Sequence, residues 1–292
     1  MNNTVKEYIT ITISVCISVL VALACAQGSL IVGQYPVIFI CLFFVFAIQW
    51  IIFLPSYYFS TERFYDITGS ITYITVILIA LYHKNDFIGH QSDLRSSLIA
   101  IFILVWALRL GSFLFLRVLK DKEDRRFSEW KKSFHMFLRV WTLQGLWVFI
   151  TSIAGMTAIA SRKIVGPDIF LYMGSLLWVF GFLFETIADY QKRKFRSENP
   201  KQFIHTGLWS LSRHPNYFGE IVLWCGISLI AFPTLTGSQF VSLVSPIFVF
   251  LLLTRVSGVH ILEKHADERW GKKKNYKKYI DNTPILFPKI LK

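Results

Sequence analysis

The stretch YPVIFICLFFVFAIQWIIFL, Tyr35 to Leu54, decides the fold. It carries no charge, and Gln49 is its one amide. A hydrocarbon core about 30 Å thick is crossed by about 20 such residues in a helix. Similar runs recur at roughly 8–27, 67–82, 97–117, 134–154, 168–188, 218–236 and 241–261, giving eight expected spans. The third is short and Thr-rich, which suggests a tilted or partly re-entrant segment. The reading is an all-α, polytopic membrane helical bundle of about seven to eight transmembrane helices, a single integral-membrane domain over 1–292.

Composition agrees with that reading. Of 292 residues, 54% are hydrophobic and only 17% charged, against about a quarter in soluble domains. Mean hydropathy is +0.49. Disordered, collagenous and disulfide-stapled classes are excluded. Cys16, Cys25, Cys41 and Cys225 all lie in apolar runs, with no CxxC pair and no metal-ligand spacing. The first apolar run is too long for a cleaved signal and reads as a retained span.

Lys plus Arg is 31 against 18 acidic residues, a net charge of +13. The basic residues cluster between spans four and five (Arg117 to Lys132), between six and seven (Lys192 to Arg213) and in the tail (Lys264 to Lys292). With eight spans these segments share one face, which the positive-inside rule makes cytoplasmic together with both termini. The expected location is the plasma or inner membrane of a bacterium, or the endoplasmic reticulum of a eukaryote. Topology alone explains part of this charge, and local patterns offer reasons for more of it.

Glu185-Thr-Ile-Ala-Asp189-Tyr-Gln-Lys192-Arg193-Lys-Phe-Arg196 runs an apolar span straight into a charged helix. Asp189, Arg193 and Arg196 share one helix face. A carboxylate beside two guanidiniums suits a sugar-phosphate ligand, and equally an ordinary surface ion pair. Further on, Ser212-Arg213-His214-Pro215-Asn216-Tyr217-Phe-Gly219-Glu220 places Pro215 where a helix starts. A helix N-terminus bearing Arg213 and His214 favours an anion. Glu220, one turn inside, needs a partner or a cavity, and an Arg–Glu pair closing the helix end is the alternative. In the N-terminal half, Tyr65 and Asp66 stand at the mouth of span three. Arg109 interrupts span four, and Gln144 puts an amide inside span five, so a polar cavity or an interhelical hydrogen bond is expected there. No P-loop, no GxGxxG after a strand and no nucleic-acid signature is present.

Four motifs in order carry a family resemblance: FYDITGS (Phe64–Ser70), the charged loop Arg117–Phe127, WTLQGLWVF (Trp141–Phe149) and SRHPNYFGE (Ser212–Glu220). Together they resemble the steroid 5-alpha-reductase C-terminal superfamily, in its uncharacterised bacterial-type branch. The resemblance implies reduction of a carbon–carbon double bond conjugated to a ketone, with NADPH held by a C-terminal half, 161–292, that ends in an amphipathic tail. The N-terminal helices, 1–160, then form the substrate side. By position it implies cofactor contacts from Arg109, Asp189, Arg196, Asn216, Glu220 and Arg255, and Glu185, Arg193, Arg213, His214 and Tyr217 in the same two segments complete the candidate cofactor set. Tyr65, Asp66, Tyr73 and Gln144 are the candidates for polarising or protonating the substrate. Partners are a lipophilic small molecule and membrane lipids, with no obligate protein partner.

Departures from the pattern fall on the substrate half and the tail. Trp106 stands where steroid-reducing members carry a Tyr, Gln49 is the one amide where they carry a Gln–Glu pair, and Val259 and Glu263 replace an expected His and Tyr. Two other classes stay open: an S-adenosylmethionine-dependent lipid or isoprenylcysteine-type methyltransferase, and a non-catalytic lipid-binding protein of the same fold.

Overall fold

The computed structural model describes residues 3–89, 91–121 and 127–289. The basic residues Lys122, Arg125, Arg126 and Lys292, with the middle of the Arg117–Phe127 motif, lie outside them. The chain is helical nearly throughout: α1 (Asn3–Cys25), α2 (Val37–Tyr58), α3 (Tyr65–Ile88), α4 (Leu94–Asp121), α5 (Phe134–Ile159), α6 (Ile169–Glu198), α7 (Pro215–Ala231), α8 (Val244–Leu251), α9 (Val259–Trp270) and α10 (Lys274–Asn282). A two-residue hairpin, β1 (Ile31–Val32) against β2 (Tyr35–Pro36), sits between α1 and α2. Among the described residues, eight helical segments are long and apolar enough to cross a membrane.

Two spans differ from their sequence reading. The third is neither short nor re-entrant: α3 runs unbroken for 24 residues. Its extra turn contains Lys84, a residue that ends an apolar run on composition but is fully buried here against Asp93. The eighth segment, Gly237–Trp270, is longer than expected and composite. It joins a 3-10 stretch (Gly237–Leu243), α8, a π-turn (Leu252–Val256) and α9. Gly258 makes the last junction, because a Cβ there would meet the Leu253 carbonyl oxygen at 2.0 Å.

The chain divides into two compact units. Unit one is Met1–Leu171 with Ile230–Ser245, and unit two is Tyr172–Leu229 with Pro246–Lys292. In unit one α5 is the central helix, with 83% of its apolar window buried, so its polar side chains face protein. At one end of this unit the loops are tied by buried charge. Lys84 Nζ donates to the Ser161 carbonyl (2.6 Å) and pairs with Asp93 (3.1 Å). Asp93 also caps α4 through the Ser96 N–H at 3.1 Å. Arg95, 1% exposed, donates to the carbonyls of Ile230, Gly166 and Val165 and pairs with Asp168 at 2.8 Å. Asp168 in turn accepts from the Leu171 N–H in the first turn of α6.

Unit two rests on a seam of glycines between α6 and α7. A Cβ on Gly181 would lie 2.6 Å from the Gly219 carbonyl oxygen, and one on Gly219 would lie 2.6 Å from the Glu185 nitrogen. Gly226 meets the Gly174 carbonyl in the same way at 2.7 Å. Only hydrogen fits at these points, so the two backbones touch, as small residues allow in membrane helix pairs. The tail then folds back on the α6–α7 loop. Arg213 N–H donates to the Pro284 carbonyl (2.9 Å), His214 N–H to the Ile285 carbonyl (3.1 Å) and Ser212 Oγ to the Leu286 carbonyl (2.8 Å).

Candidate functional site

α7 begins at Pro215, as the missing N–H of proline favours in a first turn. The two residues before it reach into a hollow of unit two that also takes Lys192 and Arg196 from the end of α6, Trp209 from the loop and Glu263 from α9. Its volume is 110 Å³. Lys192 Nζ lies 4.5 Å from the centre of the Trp209 ring, and the Trp209 Nε1–H donates to the Ala188 carbonyl at 3.0 Å, which fixes the indole. Three cations and an indole around one hollow suit a phosphorylated, ring-bearing ligand.

The bonding of the hollow is incomplete. Glu263 accepts from Arg213 Nη1 and lies 2.7 Å from His214 Nε2. Arg213 Nε and His214 Nδ1 are buried and have no hydrogen-bond partner, and the same holds for Asn216 Oδ1 next to them in the first turn of α7. Burial holds the His214 imidazole below its ordinary pKa, outweighing the upward pull of Glu263. A neutral ring whose Nε2–H donates to Glu263 leaves Nδ1 as a bare acceptor. Each such orphan costs about 1–3 kcal/mol, so the hollow is better completed by a ligand with both hydroxyl donors and anionic acceptors. Tyr217 stacks on the His214 ring, centroids 5.5 Å apart and planes within 10°. A second, wider cavity of 410 Å³ shares the walls Phe203 and Tyr279 and adds His205, Asn275, Lys278 and Asn282.

The other residues of unit two nominated from sequence fall around this hollow or away from it. Glu185 and Glu220 are buried, 2% and 7% exposed, and Glu185 is set against Gly219 by the glycine seam. Asp189 is half-buried on α6. Arg193 is exposed, its guanidinium 6.0 Å from the Tyr190 ring, and Arg255 is exposed on the π-turn. Neither is among the residues that line the hollow.

In unit one, Tyr65, Gln144 and Gly69 come together. Gln144 Nε2 donates to the Tyr65 carbonyl (3.0 Å), and a Cβ on Gly69 would lie 2.7 Å from the same nitrogen. Because the amide nitrogen must face that carbonyl, Gln144 Oε1 points elsewhere, buried and without a partner. Gln49 repeats the pattern. Its Nε2 donates to Thr72 Oγ1 (3.0 Å), whose proton goes to the Thr68 carbonyl, leaving Gln49 Oε1 unpartnered. The Tyr65 hydroxyl donates to the Val140 carbonyl at 3.2 Å. Asp66 lies 3.6 Å from Arg117, Tyr73 is buried edge-on to Trp106, and Arg109 sits 5.9 Å from the Phe113 ring.

Sequence reading passed over Lys192, Trp209, Phe203, Tyr279 and Glu263 as site residues. Lys192 and Trp209 carried a signal, a cation and an indole close to nominated residues. Glu263 carried little, because its pairing with Arg213 spans 50 positions.

A family model described as a protein of unknown function, DUF1295, matches residues 31–283. Over 90 residues the chain is 33% identical to the 3-oxo-5-alpha-steroid 4-dehydrogenase 1 of Bos taurus, a match covering 30% of this chain and 33% of that protein. The chain thus spans about a third of the length of that curated relative. No solved structure matches it.

Proposed function

This chain belongs to the DUF1295 family, and from that premise we propose that it is an integral-membrane, NADPH-dependent reductase of a carbon–carbon double bond in a lipophilic enone or related lipid. The observation that carries the proposal is the hollow before α7, where Lys192, Arg196 and Arg213 meet beside Trp209 with buried polar atoms of Arg213 and His214 unpartnered. The likeness to a steroid 4-dehydrogenase over 90 residues supports the choice of reaction class.

The donor set fits a phosphorylated dinucleotide. Lys192, Arg196 and Arg213 would hold phosphate oxygens, and His214 Nδ1 would accept from a ribose hydroxyl. Phe203 and Tyr279 offer a flat wall for an aromatic base. NADPH, when bound, supplies a hydride. The residues of unit one would handle the substrate. Gln49 Oε1 and Gln144 Oε1 would accept from a hydroxyl or amide substituent inside an otherwise apolar bundle, and Tyr65, Asp66 and Tyr73, within the first three turns of α3, are the candidates for delivering a proton. Adenosylmethionine carries no phosphate for Lys192, Arg196 and Arg213 to grip, which favours the reductase over a methyltransferase.

The test is calorimetric titration of the purified full chain with NADPH, followed by NADPH oxidation with a panel of lipophilic enones. Arg196 is exposed, so Arg196→Ala should leave stability within about 0.5 kcal/mol of wild type. It should weaken NADPH binding about tenfold, the scale of one charge-assisted hydrogen bond. Tight adenosylmethionine binding without NADPH binding would reverse the assignment.

A further inference from the structure

The hollow before α7 contains a carboxylate where its chemistry asks for a ligand anion. Glu263, from the first turns of α9, meets both Arg213 and His214, one oxygen to each. It engages Arg213 through Nη1, while Nε stays buried without a partner. A guanidinium binds phosphate best with two parallel N–H groups, so Glu263 is a one-handed occupant of a two-handed grip. The neighbouring helix N-terminus favours any negative charge placed there, and Glu263 takes that benefit as well. The hollow left over measures 110 Å³, well below the 300–1,000 Å³ of ordinary ligand sites.

We infer that Glu263 is an internal anion that occupies the phosphate seat of Arg213 and His214, and that a phosphorylated ligand binds by displacing it. The inference rests on the phosphate-binding reading of the same hollow, and makes Glu263 the residue that sets how strongly the seat accepts phosphate. His214 lines the hollow, is 4% exposed and has a buried, unpartnered Nδ1, so the seat is built from buried side chains as well as from a helix end. Glu263 keeps 22% of its side chain exposed, so its carboxylate can leave the seat toward solvent by side-chain rotation while the tail stays bonded to the α6–α7 loop.

The experiment titrates the full-length protein in detergent with inorganic pyrophosphate and, separately, with NADPH. Glu263→Gln removes the internal charge. Glu263→Asp keeps the charge but pulls it back by one methylene, which separates displacement from a general change in net charge. Glu268→Gln, exposed on the same helix, is the control. Both Glu263 variants should bind pyrophosphate and NADPH about tenfold more tightly than wild type, with Glu268→Gln unchanged. Should Glu263→Gln fail to fold, Glu263→Asp alone decides. Equal or weaker binding by the Glu263 variants overturns the inference, even where NADPH binds and the cofactor reading stands. Tighter pyrophosphate binding with no NADPH binding upholds the displaced anion and overturns the cofactor. A gain shared by Glu268→Gln reduces the effect to net charge and overturns the inference.

Discussion

At the looped end of unit one, Lys84 and Arg95 are buried with Asp93, Asp168 and four backbone carbonyls, and their donors are matched by acceptors at 2.6–3.4 Å. Before α7 in unit two, Arg213 and His214 have Glu263, and one nitrogen of each stays buried without a partner. The same residue types serve two purposes. Where buried charge is fully matched, its function is to hold loops together. Before α7, where matching stops short, the missing partners are what the proposed ligand would supply.

The largest expected effect breaks the matched cluster. Lys84→Met strands the Asp93 carboxylate in a dry site and should cost about 3–5 kcal/mol in denaturation measured in detergent. Pairing it with Asp93→Asn should recover most of that, since the amide still caps α4. Arg213→Ala should cost about 1 kcal/mol or less, because Glu263 keeps 22% of its side chain exposed. Equal losses at the two places would erase the distinction between them.

A middle-sized effect concerns the support beneath the incomplete cluster. Gly219→Ala pushes a methyl into the Glu185 nitrogen and Gly181 carbonyl, both at 2.6 Å. Backbone offers no rotamer to yield, so a loss of about 1–3 kcal/mol is expected in the same denaturation assay. On the proposed reading NADPH binding should weaken with it, because Arg213 and His214 immediately precede the displaced helix. Unchanged stability would mean that the seam is not a tight contact.

The smallest effect is a pH dependence. The native His214 ring holds its proton less well than in the unfolded chain, where the ordinary value is 6.5; burial is the main cause, with Lys192 and Arg213 adding to it and Glu263 opposing. Below about pH 6.5 the unfolded state therefore binds more protons, so stability is full above that pH and declines as the solution is acidified. Thermal melts of wild type and His214→Gln, taken at about pH 7.5 and 5.5, should show a decline that the variant lacks. A wild type that gains stability on acidification would show that the native ring is an imidazolium held by Glu263, and the comparison would have to be redrawn.

Much of the architecture was legible because span length is a one-dimensional property. The eight apolar runs correspond to eight helical segments among the described residues, and Pro215 marked the start of α7. The ends were less legible. Composition stops the third run before His83 and Lys84, but α3 continues because Asp93, across a turn, receives the ammonium. Arg196, Arg213, His214 and Asn216 could be nominated from local pattern, since each lies in a charged or proline-started helix end. Glu263, Gln49 with Thr72, and Gly181 with Gly219 could not. Their meaning comes from pairing across 50, 23 and 38 positions, which periodicity does not encode.

Gly174 and Gly181 on α6, like Gly219 and Gly226 on α7, recur at intervals of one heptad. Sliding one helix along the other by less than about 10 Å would drive Cβ-bearing neighbours into spaces cut for hydrogen. The pair therefore behaves like a keyed shaft, unable to shear in small steps. On the proposed reading, freeing the seat of Arg213 and His214 then falls to Glu263 and the helix that follows Gly258 rather than to the α6–α7 pair, so a covalent staple holding that helix and its Glu263 carboxylate in place should block the proposed ligand.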